Sequence, residues 1–101
     1  MSEEPFGPVA LMASFTDVDE ALAEANRLDY GLASYAFTRS MKVAEKVTSG
    51  FKSGMVSVNH FGIGPVELPF GGVNDSGYGS EGGLEAIESY LSTKTASQAM
   101  A

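Results

Sequence analysis

Ser34-Tyr35-Ala36-Phe37-Thr38-Arg39-Ser40-Met41-Lys42-Val43-Ala44-Glu45-Lys46-Val47-Thr48-Ser49-Gly50-Phe51-Lys52-Ser53-Gly54-Met55-Val56-Ser57-Val58-Asn59 is the stretch that decides the fold. Ser34–Thr38 and Met55–Asn59 are short β-branched and aromatic runs, the composition of strands. Between them Ser40 is placed to cap a helix whose inner face carries Val43 or Ala44, Val47 and Phe51. Ser53-Gly54 closes that helix. Two strands joined by a helical crossover favour parallel pairing with a right-handed connection.

The pattern extends toward the N-terminus. Val9-Ala10-Leu11-Met12-Ala13 is a continuous apolar run, as in a strand buried on both faces. Thr16-Asp17 starts a helix, with Glu20 at capping-box spacing and Val18, Ala21, Leu22 and Ala25 along one face. Asp29-Tyr30-Gly31 ends it. The expected fold class is α/β: strand, helix, strand, helix, strand, then a long glycine-rich loop, a last helix and a C-terminal edge strand. His60 to Ser80 is that loop. Leu84, Ile87, Tyr90 and Leu91 mark the last helix, and Thr93 to Gln98 the edge strand.

Composition narrows the function. The chain has 101 residues, enough for one small domain, with 44% apolar residues and a net charge of −7. Only 6 basic residues make it a poor ligand for a phosphate backbone or an anionic bilayer, so neither nucleic acid nor membrane is an expected partner. No apolar run approaches the ~20 residues of a membrane span. No secretory leader opens the sequence, and a cytoplasmic location is expected. There is no cysteine, which excludes disulfides, thiolate metal sites and a thiol nucleophile within these residues. His60 is the only histidine, a weak metal signal that lacks the partner pattern of a catalytic base. No metal site and no catalytic residue is assigned.

Pro69-Phe70-Gly71-Gly72-Val73-Asn74-Asp75-Ser76-Gly77-Tyr78-Gly79 holds four of the 12 glycines in eleven residues. Such a cluster marks special dihedrals or close backbone approach. Gly77-Tyr78-Gly79-Ser80-Glu81-Gly82 has GxGxxG spacing, but it follows a loop and not a strand. No acid lies about 20 residues beyond it to hold a ribose. A glycine turn is the preferred reading.

This loop, together with Glu3-Glu4-Pro5-Phe6-Gly7-Pro8-Val9, resembles the end of the catalytic domain of the NAD(P)-dependent aldehyde dehydrogenases. Tyr30-Gly31-Leu32, Phe37-Thr38 and Gly54–Asn59 match as scaffold. The resemblance runs from Glu3 to about Gln98. It implies oxidation of an aldehyde to a carboxylic acid with NAD or NADP as hydride acceptor. In that family a cysteine thiolate attacks the aldehyde, hydride leaves to the nicotinamide, and water hydrolyses the thioester. It further implies that Glu4 accepts hydrogen bonds from the nicotinamide ribose and that Phe6 packs beside the nicotinamide ring. By the same resemblance His60, Phe61, Ile63 and Phe70 line the aldehyde entrance. Simple core burial is the competing reading for Phe61 and Phe70. Asn74 and Ser80 stand where many members carry Lys and Arg. Ser80-Glu81-Gly82-Gly83 faintly resembles the semialdehyde branch.

The resemblance implies one fragment spanning 1–101, the C-terminal portion of a catalytic domain, with 93–101 serving oligomerisation. Expected partners are the remainder of the parent enzyme, a small aldehyde and further copies in a homo-oligomer. The alternative is a freestanding non-catalytic α/β module that binds or assembles. Asn59, at a strand end, is suited to anchor the following loop through side-chain to backbone bonds.

Overall fold

Asp17 begins the first helix. Its Oδ1 accepts from the backbone N–H groups of Asp19 (2.7 Å) and Glu20 (3.4 Å), two donors that no earlier turn satisfies. The helix, α1, spans Val18–Ala25 in this computed structural model, which describes residues 3–100. Met1, Ser2 and Ala101 lie outside the described residues, and with them the ends of the expected unit 1–101 and of the expected tail 93–101. Two short strands follow, β1 at Tyr30–Gly31 and β2 at Ala33–Ala36. Ser40 caps α2, Met41–Gly50, through the Val43 N–H. Then come β3, Met55–Val58, and β4, Val73–Asn74, and a six-residue 3₁₀ helix, Glu85–Tyr90.

The α/β class and the parallel crossover hold. β2 and β3 run parallel with Ala33 opposite Met55 and Ala36 opposite Val58, joined by α2. β1 pairs antiparallel with β4, Tyr30 opposite Asn74 and Gly31 opposite Val73. The core is small: Leu22 from α1, Val47 from α2, Met55 and Ser57 from β3. Val47 is on the face the helical spacing picks out, flanked by half-buried Val43, Ala44 and Phe51. Leu22 lies against Gly50, where a Cβ would stand 2.6 Å from its Cδ1.

Three expected elements differ. Val9–Ala13 forms no strand, and Val9, Leu11 and Met12 are exposed. An apolar run becomes a strand only beside a partner ladder, and no described segment offers one here. The last helix is a short 3₁₀ turn instead of an α-helix. Leu84, Ile87, Tyr90 and Leu91 are all exposed, so the apolar stripe that should stabilise it has nothing to pack on. Thr93 to Gln98 is irregular for the same reason as Val9–Ala13.

The outline follows from this. The chain extends 72 × 32 × 24 Å with a radius of gyration of 18.5 Å. A compact domain of this length has about 13 Å. An open groove of about 1210 Å³ runs between Ala13–Phe15, α1, α2 and the outer edge of β2.

Candidate functional site

At the end of β3 the chain turns sharply. Asn59 sits at φ 65°, in the left-handed region that asparagine enters more readily than most side chains. Its backbone N–H continues the ladder to Ala36 O at 2.8 Å. Its side chain then closes a two-point clamp on the residue just past β2. Asn59 Oδ1 accepts from the Thr38 N–H at 2.8 Å, and Asn59 Nδ2 donates to Thr38 O at 2.9 Å. The expected anchor is therefore present, but it grips the neighbouring strand end and not the loop that follows.

That loop folds back on the sheet. The buried Ser57 hydroxyl donates to His60 O at 2.7 Å. The Gly62 N–H donates to His60 Nδ1 at 3.1 Å, which makes this nitrogen an acceptor and leaves the proton of the neutral ring on Nε2. Ser57 Oγ also lies 3.1 Å from Nδ1. Phe61 comes to rest on Tyr35 and Phe37, with ring centroids 5.6 and 5.1 Å apart and planes tilted by 51° and 53°. These are ordinary tilted aromatic contacts. Yet Phe61 remains 73% exposed, so it is not a core residue of this chain. Ile63 is half-buried.

Phe70 belongs to a second feature. It pairs with Glu81 in an isolated antiparallel bridge: Phe70 N donates to Glu81 O at 2.6 Å and Glu81 N to Phe70 O at 2.8 Å. Everything between them is a closed excursion. Phe70 is 41% exposed and lines a groove of about 280 Å³ with the glycine turn and Tyr90. The GxGxxG spacing resolves into turns. Gly79 and Gly82 have φ of 76° and 64°, and a Cβ on Gly82 would meet Leu68 O at 2.7 Å. No α-helix opens behind them, so the arrangement offers no helix N-terminus for a pyrophosphate.

Glu4 and Phe6 lie in the extended N-terminal segment. Both are exposed, Phe6 fully, and neither lines either groove. The structure thus gathers His60, Phe61 and Ile63 in one loop, sets Phe70 in the groove of the glycine turn, and holds Glu4 and Phe6 apart from both. Among the described residues no cluster of His, Cys, Asp or Glu is placed to hold a metal. No described helix is long and apolar enough to cross a membrane.

Three contributions escaped the sequence reading. Tyr35 and Phe37 form the platform for Phe61, and their i, i+2 spacing on a strand was the available signal. Asn26 bridges the two helices. Ser76 Oγ accepts from the Gly31 N–H at 2.8 Å, a contact across 45 residues that no local pattern announces.

A parallel β-α-β unit, a folded-back aromatic loop and a glycine-rich excursion define a segment of an α/β domain whose aromatic side chains are turned outward. The chain belongs to the aldehyde dehydrogenase family, whose model matches residues 1–96. It is 52% identical over 94 residues to the 4-(hydroxymethyl)benzenesulfonate dehydrogenase of Comamonas testosteroni, covering 93% of this chain and 20% of that protein. It is 45% identical over 92 residues to the non-phosphorylating aspartate-semialdehyde dehydrogenase of Halomonas elongata, covering 91% and 19%. Among solved structures it superposes on the betaine aldehyde dehydrogenase of Staphylococcus aureus in complex with NAD+. The TM-score is 0.84 and the identity 39%, over 92% of this chain and 18% of that one. The chain spans about a fifth of the length of the relatives it matches.

Proposed function

We propose that this chain supplies part of the cofactor contact and the aldehyde entrance of an NAD(P)-dependent dehydrogenase that oxidises an aldehyde to a carboxylic acid. The observation that carries the proposal is the placement of the aromatic side chains. Phe6, Phe61 and Phe70 all escape the core, which is made by Leu22, Val47 and Met55. A ring left in water costs hydrophobic stabilisation on the order of 1.5–3 kcal/mol relative to burial, so rings held outward are rings available to another surface.

The residues divide by chemistry. The Glu4 carboxylate accepts from two hydroxyls at once and donates to none, which fits the vicinal hydroxyls of a ribose. Phe6 offers a flat apolar face against a nicotinamide. When bound, the nicotinamide accepts a hydride. Phe61, Ile63 and Phe70 form apolar walls that exclude water from the path of an aldehyde, and His60 presents a polar Nε2–H at the same loop. The thiol nucleophile of the family reaction lies outside these residues, since the chain holds no cysteine. Within this reading the enzyme is cytoplasmic and homo-oligomeric, with residues 93–101 taking part in assembly. A semialdehyde is the substrate suggested by the Ser80–Gly83 segment, and the Halomonas elongata relative supports that choice.

The test is a pair of variants in the intact enzyme that carries this chain. Glu4→Gln is expected to raise the KM for NAD(P) while leaving the aldehyde KM near its starting value. Phe70→Ala is expected to do the reverse. If both variants left both constants unchanged, the assignment would be wrong. The 101 residues purified alone are expected to turn over no aldehyde.

A further inference from the structure

We propose that Asn59 is a positioning residue that sets the width of the aldehyde entrance, by fixing where the loop bearing His60, Phe61 and Ile63 leaves the sheet. The inference rests on the entrance reading given above, and it adds a residue to which that reading gave no part.

Asn59 meets three demands that few side chains satisfy together. It adopts φ 65°, which turns the chain out of β3. It donates to Thr38 O and accepts from Thr38 N–H, so both polar groups of one backbone residue are satisfied by one amide. Its own N–H still closes the β2–β3 ladder on Ala36 O. Thr38 directly follows Phe37, and Phe37 is one of the two rings on which Phe61 rests. The clamp therefore ties the backbone beneath the platform ring to the backbone that launches Phe61. Four bonds separate the two ends of this linkage from free motion: the pair at Thr38, the ladder bond, and the Ser57 to His60 O bond. Slackening the clamp lets Phe61 leave Phe37 and widens the entrance without touching the cofactor segment at Glu4 and Phe6.

Three variants separate the parts. Asn59→Gly keeps access to positive φ and loses both side-chain bonds. Asn59→Asp keeps the acceptor for Thr38 N–H and loses the donor to Thr38 O. Asn59→Ala loses the bonds and keeps a Cβ at positive φ without asparagine's tolerance of that region. In the intact enzyme, Asn59→Gly is expected to raise the KM for a small semialdehyde roughly tenfold, because the widened entrance no longer packs Phe61 against it, with kcat and the KM for NAD(P) within about twofold. Asn59→Asp is expected to fall between Asn59→Gly and the parent, which is the rescue a generic loss of stability would not give. In parallel, nuclear Overhauser contacts between Phe61 and Phe37 report the loop directly. They are expected to weaken in Asn59→Gly and to persist in part in Asn59→Asp. Equal losses in kcat and in both KM values, or an unaltered Phe61–Phe37 contact in Asn59→Gly, would overturn the inference. If the intact protein oxidises no aldehyde, the entrance reading fails alone, and the ring contacts still decide whether Asn59 positions the loop. An Asn59→Gly chain that does not fold leaves the Asn59→Asp contact to decide: a Phe61–Phe37 contact there equal to the parent's refutes the clamp.

Discussion

Asn26 holds the C-terminal turn of α2 through Gly50. Its Nδ2 donates to Gly50 O at 2.8 Å, while its Oδ1 accepts from Lys52 N at 2.8 Å. The last carbonyls of a helix have no partner within it, and here a side chain from α1 supplies one. Leu22, one turn earlier on α1, packs on the same glycine. A polar and an apolar contact therefore converge on one residue, and together they fix the crossing of the two helices. The Lys46–Asp19 ion pair at 2.6 Å also spans them, but Asp19 is exposed and Lys46 only half-buried, and such solvated pairs contribute little.

Replacing Asn26 by alanine is expected to lower stability by about 1–3 kcal/mol, one part-buried and one exposed hydrogen bond at the usual net value each. Asn26→Asp should be no better. It keeps the acceptor for Lys52 but loses the donor to Gly50 O and sets a negative charge against the C-terminal end of the α2 dipole. Urea midpoints of the two variants check this. An aspartate variant more stable than the alanine one would contradict the geometry.

Gly54 and Gly71 are in backbone contact, so close that a Cβ on Gly54 would overlap Gly71 O. Gly54→Ala is expected to destabilise by about 2 kcal/mol or more, because backbone on both sides must move. Gly62 is the control, since its added Cβ meets only His60 Nδ1 at 3.6 Å. Gly62→Ala should be neutral within about 1 kcal/mol. Thermal unfolding of the pair distinguishes close approach from a general intolerance of side chains in glycine-rich segments.

The sequence discloses the elements that satisfy themselves locally. Asp17 and Ser40 are caps with their donors two or three residues away, and Val47 follows from helical spacing. The β2–β3 pairing is legible because α2 forces a parallel return. What the sequence could not disclose depends on distant surfaces. Val9–Ala13 reads as a buried strand because its composition answers to a sheet neighbour, and none is present among the described residues. The 3₁₀ turn at Glu85–Tyr90 departs from an α-helix for the same reason: its stripe of Leu84, Ile87 and Leu91 has no counterpart. The β1–β4 pair is two residues long and carries no periodicity to read. Of the candidate site, His60, Phe61 and Ile63 were placed in one loop from the sequence. Their support by Ser57, Tyr35 and Asn59 arises only when the strands are side by side.

The hydrogen bonds around His60 determine its tautomer. The Gly62 N–H points at Nδ1, and Ser57 directs its proton to His60 O, so the neutral imidazole carries its hydrogen on Nε2. Long-range nitrogen–proton correlation spectra of the neutral ring are expected to show the Nε2–H form as the dominant species. Ser57→Ala should leave that tautomer in place, because Gly62 alone enforces it, while loosening the loop through loss of the bond to His60 O. A switch to the Nδ1–H form in the parent chain would mean that Ser57, not Gly62, is the true partner of Nδ1.

The exposed apolar surface sets the behaviour of the isolated chain. Its accessible area is 8615 Å². A folded monomer of this mass exposes about 5,500 Å², leaving an excess of roughly 3,000 Å². A standard protein interface covers about 800 Å² on each partner, so the excess is several times one such patch. It is also apolar where it matters: Val9, Leu11, Met12 and Phe15 line the N-terminal segment, and Leu84, Ile87 and Leu91 the C-terminal one. Both open edges of the β2–β3 sheet add unpaired backbone groups. The purified chain is therefore expected to associate, with a light-scattering mass that rises above 10.6 kDa as concentration increases. Leu11→Lys with Met12→Lys should shift that rise to higher concentration without altering the helical signal, since neither residue touches the Leu22–Val47–Met55 core. A constant monomer mass up to high concentration would show that the segments fold over one another in solution, and that this surface is not what another polypeptide covers.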